Sequence, residues 1–242
     1  MNRTNLATDE EEASIESFEE IENYENVAEK EKANNRIIYH AAKRLLDIVI
    51  GIIGLIVLIP TAAIVIIMRI INKETQGPLF YEQLRIGKNG KYFRLYKFRS
   101  MLVGADKKLK EYLENNPDAN EEFKKFHKLN NDPRITKTGK FLRKTSLDEL
   151  PQVINLINGT MSVVGPRPVI DEELKNYEDE KEKFLSVKPG LTGYWQVNGR
   201  SNTTYDERMQ MELYYVDNCS LWLDIKIFFK TFAVVLKKEG AM

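Results

Sequence analysis

The feature that most limits what this chain can fold into is an uncharged apolar segment near its N-terminus. The segment runs for 21 residues, from Ile48 to Met68. As a helix it would be about 30 Å long, close to the thickness of the hydrocarbon core of a membrane. A buried core helix is the alternative, but helices of globular proteins are rarely apolar on all sides over such a length. The segment therefore predicts a membrane helix.

A proline and the flanking charges bear on how this helix meets the membrane. Pro60 lies near the centre of the segment, and proline removes a backbone hydrogen bond and kinks a helix. Lys43 and Arg44 precede the segment, and Arg69 and Lys73 follow it. Basic flanks prefer the cytoplasm, so a straight crossing would leave one pair on the wrong side, whereas a hairpin that enters and leaves by one face satisfies both. The sequence favours a re-entrant helix over a crossing helix.

Charge is distributed unevenly along the chain. Residues 1–34 hold eleven acidic and three basic residues and few large apolar ones, which predicts a disordered acidic tail. The remaining chain is basic, as expected of a protein that meets anionic lipid or phosphate. A single cysteine and two histidines exclude a Cys/His zinc cluster and fit a reducing, cytoplasmic setting. We assign 35–76 to the re-entrant helix and 77–242 to a cytoplasmic catalytic domain.

Beyond the apolar segment, the patterns predict a mainly α fold with a small β-hairpin. Asn89-Gly90 favours a tight turn within a hairpin over Leu79–Arg99. The stretch Val187–Arg200 contains one proline and three glycines and predicts a structured loop. For the last helix, core packing and a membrane-surface position are equally open. Helical periodicity covers Ala105–Asn115, Asn120–Asn130, Pro151–Ile157, Tyr205–Val216 and Ser220–Lys238.

Two adjacent carboxylates, Asp148 and Glu149, are the strongest candidates for chemistry. Ser146 and Glu149 fit a capping box, which would make the run only the start of a helix. Pro151 fits the first position of a helix that begins there, so two registers are open. In both registers the carboxylates lie at a helix N-terminus, where the dipole favours their ionised form. An ionised carboxylate there suits a nucleophile or a metal ligand.

Several cations are candidate phosphate ligands. Arg143 lies just before the carboxylates. Arg167 stands between two prolines, whose fixed φ angles restrict it and suit a bidentate grip on phosphate, although an incidental surface turn is the alternative. Lys97 and Arg99 end the second predicted strand on the same face, where a solvated strand edge is equally compatible. The Pro189–Arg200 loop carries aromatic, amide and cationic groups that suit a base and a diphosphate.

These pieces, in this order, resemble the bacterial sugar transferase family. The resemblance is to the short, monotopic polyprenyl-phosphate hexose-1-phosphate transferases of exopolysaccharide and capsule synthesis, and it covers residues 40–240. It implies a re-entrant helix broken near its centre and a catalytic domain on the cytoplasmic face of the inner membrane. The segments that carry it are Lys43-Arg44 with Asp47, Gly77–Phe80, Gln83–Gly87, Lys97–Met101, Ser146–Gln152, Gly165–Pro168 and Pro189–Arg200.

The resemblance also implies a covalent mechanism. Asp148 would attack a UDP-sugar, release UMP and hold the sugar phosphate until undecaprenyl phosphate takes it, and Glu149 would act as acid/base partner or position the acceptor. Mg²⁺ is the expected cofactor and Asp148 its protein ligand. Glucose or galactose is the expected sugar; membrane lipid and a second copy of the chain are expected partners, and nucleic acid is not. The residues implied in substrate binding are Lys97, Arg143, Arg167 and Arg200.

Two other functions fit parts of the sequence. A membrane-bound, Mg²⁺-dependent phosphohydrolase would use the same carboxylate with water as acceptor, but would leave the lipid-embedded helix without a purpose. A non-enzymatic scaffold would bind anionic lipid through the basic body and a partner through the acidic tail. A scaffold, however, gives no reason for paired carboxylates beside conformationally restricted arginines.

Overall fold

The computed structural model of the protein describes residues 4–126, 129–199 and 203–236, with side chains over 34–124, 129–199 and 203–234. The chain forms two compact units, which divide between Lys43 and Arg44. The helices are α1 (Thr4–Ile71), α2 (Ala105–Asn115), α3 (Pro117–Phe126), α4 (Lys137–Lys144), α5 (Val153–Asn158), α6 (Asp171–Leu174), α7 (Lys181–Phe184), α8 (Tyr194–Asn198), α9 (Tyr205–Asn218) and α10 (Leu221–Leu236). The strands are β1 (Phe80–Ile86), β2 (Tyr92–Phe98), β3 (Ser162–Val164) and β4 (Gly190–Thr192). This architecture confirms a mainly α fold with a small hairpin.

The hairpin forms as its turn residues predict. Strands β1 and β2 pair antiparallel, with Phe80 opposite Phe98 and Ile86 opposite Tyr92. Between them Asn89 and Gly90 have φ angles of 57° and 74°, the left-handed conformation that a tight turn requires. The register is therefore set by the turn, and it fixes which β2 side chains face the rest of the molecule.

The predicted helices are present with small shifts at their ends, but the predicted loop over Val187–Arg200 is wrong. Its first part forms strand β4, which pairs in parallel with β3, and helix α8 follows. Gly190 is required there because an added Cβ would lie 2.1 Å from the backbone nitrogen of Gly165. Periodicity cannot reveal a three-residue strand, since such a strand depends on a partner distant in sequence.

Helix α1 contains the whole apolar segment. It also includes residues 4–34 of the predicted disordered tail, where glutamate, a good helix former, is abundant. The helix continues through Pro60, so the interruption expected from the resemblance is not observed as a gap in the helix. Thr61 Oγ1 donates a hydrogen bond to the carbonyl of Val57, one turn earlier in the helix. From Asn34 to Ile71 the helix is long and apolar enough to span a membrane by length and composition.

Residues on both flanks of the apolar segment form hydrogen bonds with the part of the chain that follows α1, which we call the body. On one side, Asp47 accepts hydrogen bonds from Ser162 Oγ at 2.8 Å and from the Val163 amide at 2.7 Å. On the other side, Asn72 Nδ2 donates to Thr138 Oγ1 at 3.1 Å. Helix α1 is therefore anchored to this body at both ends of its apolar stretch.

The core lies between the hairpin, the β3–β4 sheet and helices α5, α9 and α10. Leu156 and Met161 are fully buried within it, together with Tyr215 of α9. A second cluster joins α1 to the carboxylate region, where Leu58 and Val65 pack with residues of β2, α4 and α5. The packing ties the elements that carry the candidate residues into one rigid frame.

Candidate active site

The two carboxylates lie on a 3-10 helix, not on an α-helix. This segment, Leu147–Gln152, contains Pro151, and α5 begins directly after it. Ser146 has a φ of 56° and its side chain makes no capping hydrogen bond, so the capping-box alternative is wrong. A start of the α-helix at Pro151 is also wrong by two residues. The tighter 3-10 turns place Asp148 and Glu149 beside strand β2.

Glu149 is held by an ion pair with Lys97. The Lys97 Nζ lies 2.6 Å from Glu149 Oε1, and the Glu149 side chain is 36% exposed. Burial by itself would raise the pKa of Glu149, but the charge and hydrogen bond of Lys97, then the charges of Arg167 and Arg85, hold that pKa below its usual value. Glu149 is therefore stabilised as a carboxylate by the cations around it.

Asp148 has the opposite electrostatic setting. Burial, and then the negative charge of Glu149, raise the pKa of Asp148 above its ordinary value, against the charges of Lys97 and Arg143. The expectation that a helix N-terminus favours ionisation of both carboxylates is thus wrong for Asp148, because desolvation outweighs the dipole of so short a segment. Within the described part of the chain, Asp148 forms no ion pair.

The predicted cations divide between those that approach the carboxylates and one that does not. Arg143, near the end of α4, donates from Nε to Ser100 Oγ at 3.0 Å and acts on the charge of Asp148. Lys97 pairs with Glu149, as described. Arg99 instead donates to the carbonyl of Pro78 at 3.1 Å and lies over the ring of Tyr81.

Arg167 lies at a cleft beside Glu149. Its charge lowers the pKa values of both Glu149 and the Arg85 guanidinium, so the three groups face one another. The cleft is lined by Arg85, Leu95, Lys97, Glu149, Gln152, Arg167, Pro168, Gly190, Leu191 and Gln196. Arg200 lies outside the described residues, so its predicted role at the nucleotide end stays a prediction.

Arg85 is a cleft residue for which the sequence suggested no role. Its side chain is 11% exposed, and Nη1 lies 3.1 Å from Glu173 Oε2. Burial lowers the pKa of Arg85, although the neighbouring Glu173 opposes this. The Gln83–Gly87 segment was part of the resemblance, and the arginine within it was the available signal.

Asn155 is a second residue that sequence reasoning missed. It is 2% exposed, and its Nδ2 donates to the Arg94 carbonyl at 2.7 Å. Its Oδ1 accepts the Tyr96 amide at 3.2 Å, so one side chain pairs with the free edge of β2 as another strand would. Asn155 thereby fixes α5, and the carboxylates before it, against the strand that carries Lys97.

The acidic residues present fit a magnesium site of the open kind. No group of three or more His, Cys, Asp or Glu side chains that could hold a metal occurs among the described residues. Mg²⁺ commonly keeps several waters and binds one or two carboxylates together with substrate phosphates. Because Glu149 is paired with Lys97, Asp148 is the carboxylate that would be available as a ligand of Mg²⁺.

Comparison with known proteins identifies relatives over most of the chain. The chain is 48% identical over 201 residues to the undecaprenyl-phosphate galactose phosphotransferase of Salmonella typhimurium, covering 82% of the chain and 41% of that protein. It is 46% identical over 210 residues to an uncharacterized sugar transferase of Haemophilus influenzae, covering 87% of the chain and 43% of that protein. It therefore spans about two fifths of the length of these relatives. The exopolysaccharide production protein ExoY of Rhizobium meliloti is 44% identical over 200 residues, which are 83% of the chain and 88% of ExoY.

A family model gives the same result independently of any one relative. The model for the bacterial sugar transferases matches residues 38–238, which include the apolar helix, the hairpin, both carboxylates and helices α9 and α10. The match thus includes every element that lines the cleft. Since it extends over most of the sequence, the chain belongs to the bacterial sugar transferase family.

Proposed function

We propose that the protein transfers a hexose-1-phosphate from a UDP-sugar to undecaprenyl phosphate and releases UMP, as the first membrane step of exopolysaccharide or capsule synthesis. The observation that carries this proposal is the contrast between two adjacent carboxylates. Glu149 is ion-paired with Lys97, whereas Asp148 has no ion pair in the described structure and a raised pKa. Such divergent environments assign different roles to neighbouring acids.

In the first step, an oxygen of the Asp148 carboxylate attacks the sugar-proximal phosphorus of the donor. The bond from that phosphorus to the bridging oxygen breaks, UMP leaves with the bonding electrons, and an acyl phosphate joins Asp148 to the sugar phosphate. Burial supports this role, because a poorly solvated carboxylate loses less hydration when it attacks.

In the second step, the phosphate of the lipid acceptor attacks the same phosphorus. The Asp148 carboxylate is expelled and the product is a sugar linked to the lipid through a diphosphate. Glu149 lies next to the reacting carboxylate and, fixed by Lys97, positions the acceptor or exchanges a proton with it. Neither step uses a water molecule, and this distinguishes transfer from hydrolysis.

The cleft cations would hold the phosphates of the donor. Arg85, Lys97 and Arg167 converge there, and converging positive charge favours the charge that spreads over the phosphoryl oxygens. Arg143 lies on the side of Asp148. Mg²⁺, held by Asp148 and the phosphates, would reduce the repulsion between a carboxylate and a diphosphate.

For the membrane, we propose a re-entrant α1 with the catalytic body on the cytoplasmic face. Asp47 and Asn72 flank the apolar stretch and both bond to the same body, which supports a helix that does not carry its ends to opposite sides. Its exposed surface is rich in isoleucine, and Ile56 and Ile59 are 66% and 73% exposed. Apolar surface of this extent needs a lipid or protein environment.

The donor sugar and the partners follow from the relatives and remain proposals. The Salmonella typhimurium relative is named for galactose, and a relative from Klebsiella pneumoniae, 38% identical over 197 residues, is a UDP-glucose:undecaprenyl-phosphate glucose-1-phosphate transferase. Galactose and glucose are therefore the sugars to test first. A homodimer is tested by measuring the mass of the detergent-solubilised protein.

The decisive experiment measures UMP release by the detergent-solubilised protein with Mg²⁺, undecaprenyl phosphate and a panel of UDP-sugars. Asp148→Asn is nearly isosteric and should abolish release without unfolding the protein. Repeated turnover to UMP that needs the lipid, with one preferred sugar, supports transfer, because the first step alone releases only one UMP per protein molecule. Repeated turnover that is independent of lipid supports the phosphohydrolase, and no release from a folded preparation supports the scaffold.

A further inference from the structure

Helix α9 turns a charged face into the interior, toward the segment that carries Arg167. Its buried residues are Arg208, Glu212 and Tyr215, which lie on one side of the helix. Glu212 is 0% exposed, and its Oε1 accepts the backbone amide of Arg167 at 3.1 Å. A fully buried acid on a helix is costly unless it serves a specific contact.

That contact reaches the one backbone donor of the Pro166–Pro168 segment. Proline has no N–H group, so only the amide of Arg167 can donate a hydrogen bond within these three residues. Glu212, which is 45 residues away in sequence, accepts this hydrogen bond. The backbone that carries the Arg167 guanidinium is therefore anchored by a side chain on α9.

Several polar groups face Glu212 from other elements. Arg208, on its own helix, and Arg167 act on it as positive charges, and the Tyr177 hydroxyl faces it from a separate 3-10 segment. Burial raises the pKa of Glu212 to about 7, against the Arg167 amide hydrogen bond and the two arginine charges. Glu212 Oε2 and two nitrogens of Arg208 have no partner within the described residues.

We propose that Glu212 is a positioning residue for Arg167. The Glu212 carboxylate holds the backbone amide of Arg167 and so directs the Arg167 guanidinium at the diphosphate of the donor. This inference rests on the proposed function only in taking a diphosphate as the ligand of Arg167. The hydrogen bond to a charged carboxylate is stronger than one to a neutral group. Protonation of Glu212 therefore loosens the Arg167 segment and weakens diphosphate binding.

The test is the affinity of the full-length, detergent-solubilised protein for UDP with Mg²⁺, measured by calorimetry from pH 6 to pH 8. Glu212→Leu removes the acceptor and should weaken UDP binding by about tenfold at pH 8. Glu212→Gln keeps an acceptor oxygen without the charge, so the wild-type advantage over it should be a few-fold at pH 8 and should vanish near pH 6. Asp206→Asn removes an exposed acid from the same helix and should change nothing.

Enzyme kinetics supply a readout that a merely structural role would not give. In the UMP-release assay, both Glu212 variants should raise KM for the donor while kcat stays within about twofold of wild type. Equal UDP affinity of wild type and Glu212→Gln at pH 8 overturns the inference, as does a ratio that does not vary with pH. Failure of the wild type to bind UDP overturns it too. If Glu212→Leu does not fold, the Gln variant decides alone.

The two proposals fail in different ways. UDP binding that responds to Glu212 as described, without UMP release from any donor, contradicts the proposed function and leaves the positioning role intact. If both Glu212 variants release UMP with an unchanged KM for the donor, only the positioning role is contradicted.

Discussion

At the scale of single residues, the two adjacent carboxylates of the site have different electrostatic surroundings. Asp148 and Glu149 are adjacent in sequence, yet the pKa of one is raised and that of the other is lowered. The difference arises because Lys97, which comes from another element, pairs with only one of them. Paired carboxylates are visible in a sequence, but the assignment of roles within the pair depends on such a neighbour.

Replacement of Lys97 tests this assignment. In Lys97→Met, Glu149 loses the cation that does most to lower its pKa, and less positive charge remains to offset the repulsion between the two acids and the donor phosphates. We expect kcat/KM for UMP release to fall by about two orders of magnitude, while the protein remains folded.

Lys91→Met is the matched control, because Lys91 is an exposed lysine of the same hairpin. Lys97→Arg, which keeps the charge, should recover part of the activity. An unchanged kcat/KM in Lys97→Met would show that the ion pair has no part in catalysis.

A second residue-scale prediction concerns stability and pH. Burial raises the pKa of Glu212 to about 7 from an ordinary 4.5, so the unfolded chain loses this proton at lower pH than the folded protein. The free energy of unfolding contributed by this group is thus fully present below pH 4.5 and falls by about 3 kcal/mol as pH rises to 7. In Glu212→Gln this dependence is absent.

The measurement is thermal unfolding of wild type and Glu212→Gln in detergent between pH 4.5 and pH 8. The melting temperature of the variant relative to wild type should increase with pH up to about 7 and then level off. A difference that stays constant with pH would mean that Glu212 keeps an ordinary pKa in the folded protein.

At the scale of secondary-structure elements, short segments depend on side chains from elsewhere. The 3-10 segment before α5 and α5 itself are each only six residues long. Arg44 caps the end of α5 by donating to the carbonyls of Leu156 at 2.6 Å and Ile157 at 2.8 Å. This arginine was interpreted from the sequence as a membrane-flanking charge, and the structure gives it a second task.

Asn155→Leu tests how the carboxylate-bearing elements are held to β2. Leucine keeps the branched shape of the side chain but leaves the Arg94 carbonyl and the Tyr96 amide without their partner. Loss of both bonds should reduce the free energy of unfolding by about 2 to 4 kcal/mol. Because the carboxylates would shift relative to Lys97, UMP release should fall as well.

Asn115→Leu is a suitable control, since Asn115 lies on the exposed surface of α2 and its side chain bonds to the Glu111 carbonyl of the same helix. Chemical denaturation followed by circular dichroism measures both variants. Equal loss of stability in the two would contradict a special role for Asn155.

At the scale of the whole molecule, the proposed membrane association depends on the apolar surface of α1. Double substitution of Ile52 and Ile56 by Asp places two charges on an exposed face, at residues that are 50% and 66% exposed. Each charge should cost about 2.5 to 3.5 kcal/mol in the hydrocarbon core. The variant should therefore float poorly with liposomes, whereas wild type floats with them.

Leu84→Asp serves as the control, because Leu84 is 58% exposed on the hairpin, outside α1. It should leave flotation unchanged. Equal flotation of wild type and the Ile52/Ile56 variant would show that α1 does not enter the lipid.

The sequence by itself determined the features that depend on local pattern. Uninterrupted apolar residues specified the long helix, Asn89-Gly90 specified the turn, and periodicity specified α2, α9 and α10, because each signal acts within a few residues. The sequence also singled out Asp148, Glu149, Lys97, Arg143 and Arg167, since charges in unusual local settings can be recognised without a structure. For these features, the residues nearby in sequence contain the information.

The tertiary structure alone decided the features that depend on distant partners. Strand β4 exists because β3 lies beside it, and Lys97 reaches Glu149 across 52 residues of sequence. The anchoring of Arg167 by Glu212 spans 45 residues and has no local signature. Burial also reversed the direction expected for the pKa of Asp148, because desolvation depends on what the rest of the chain packs around a group.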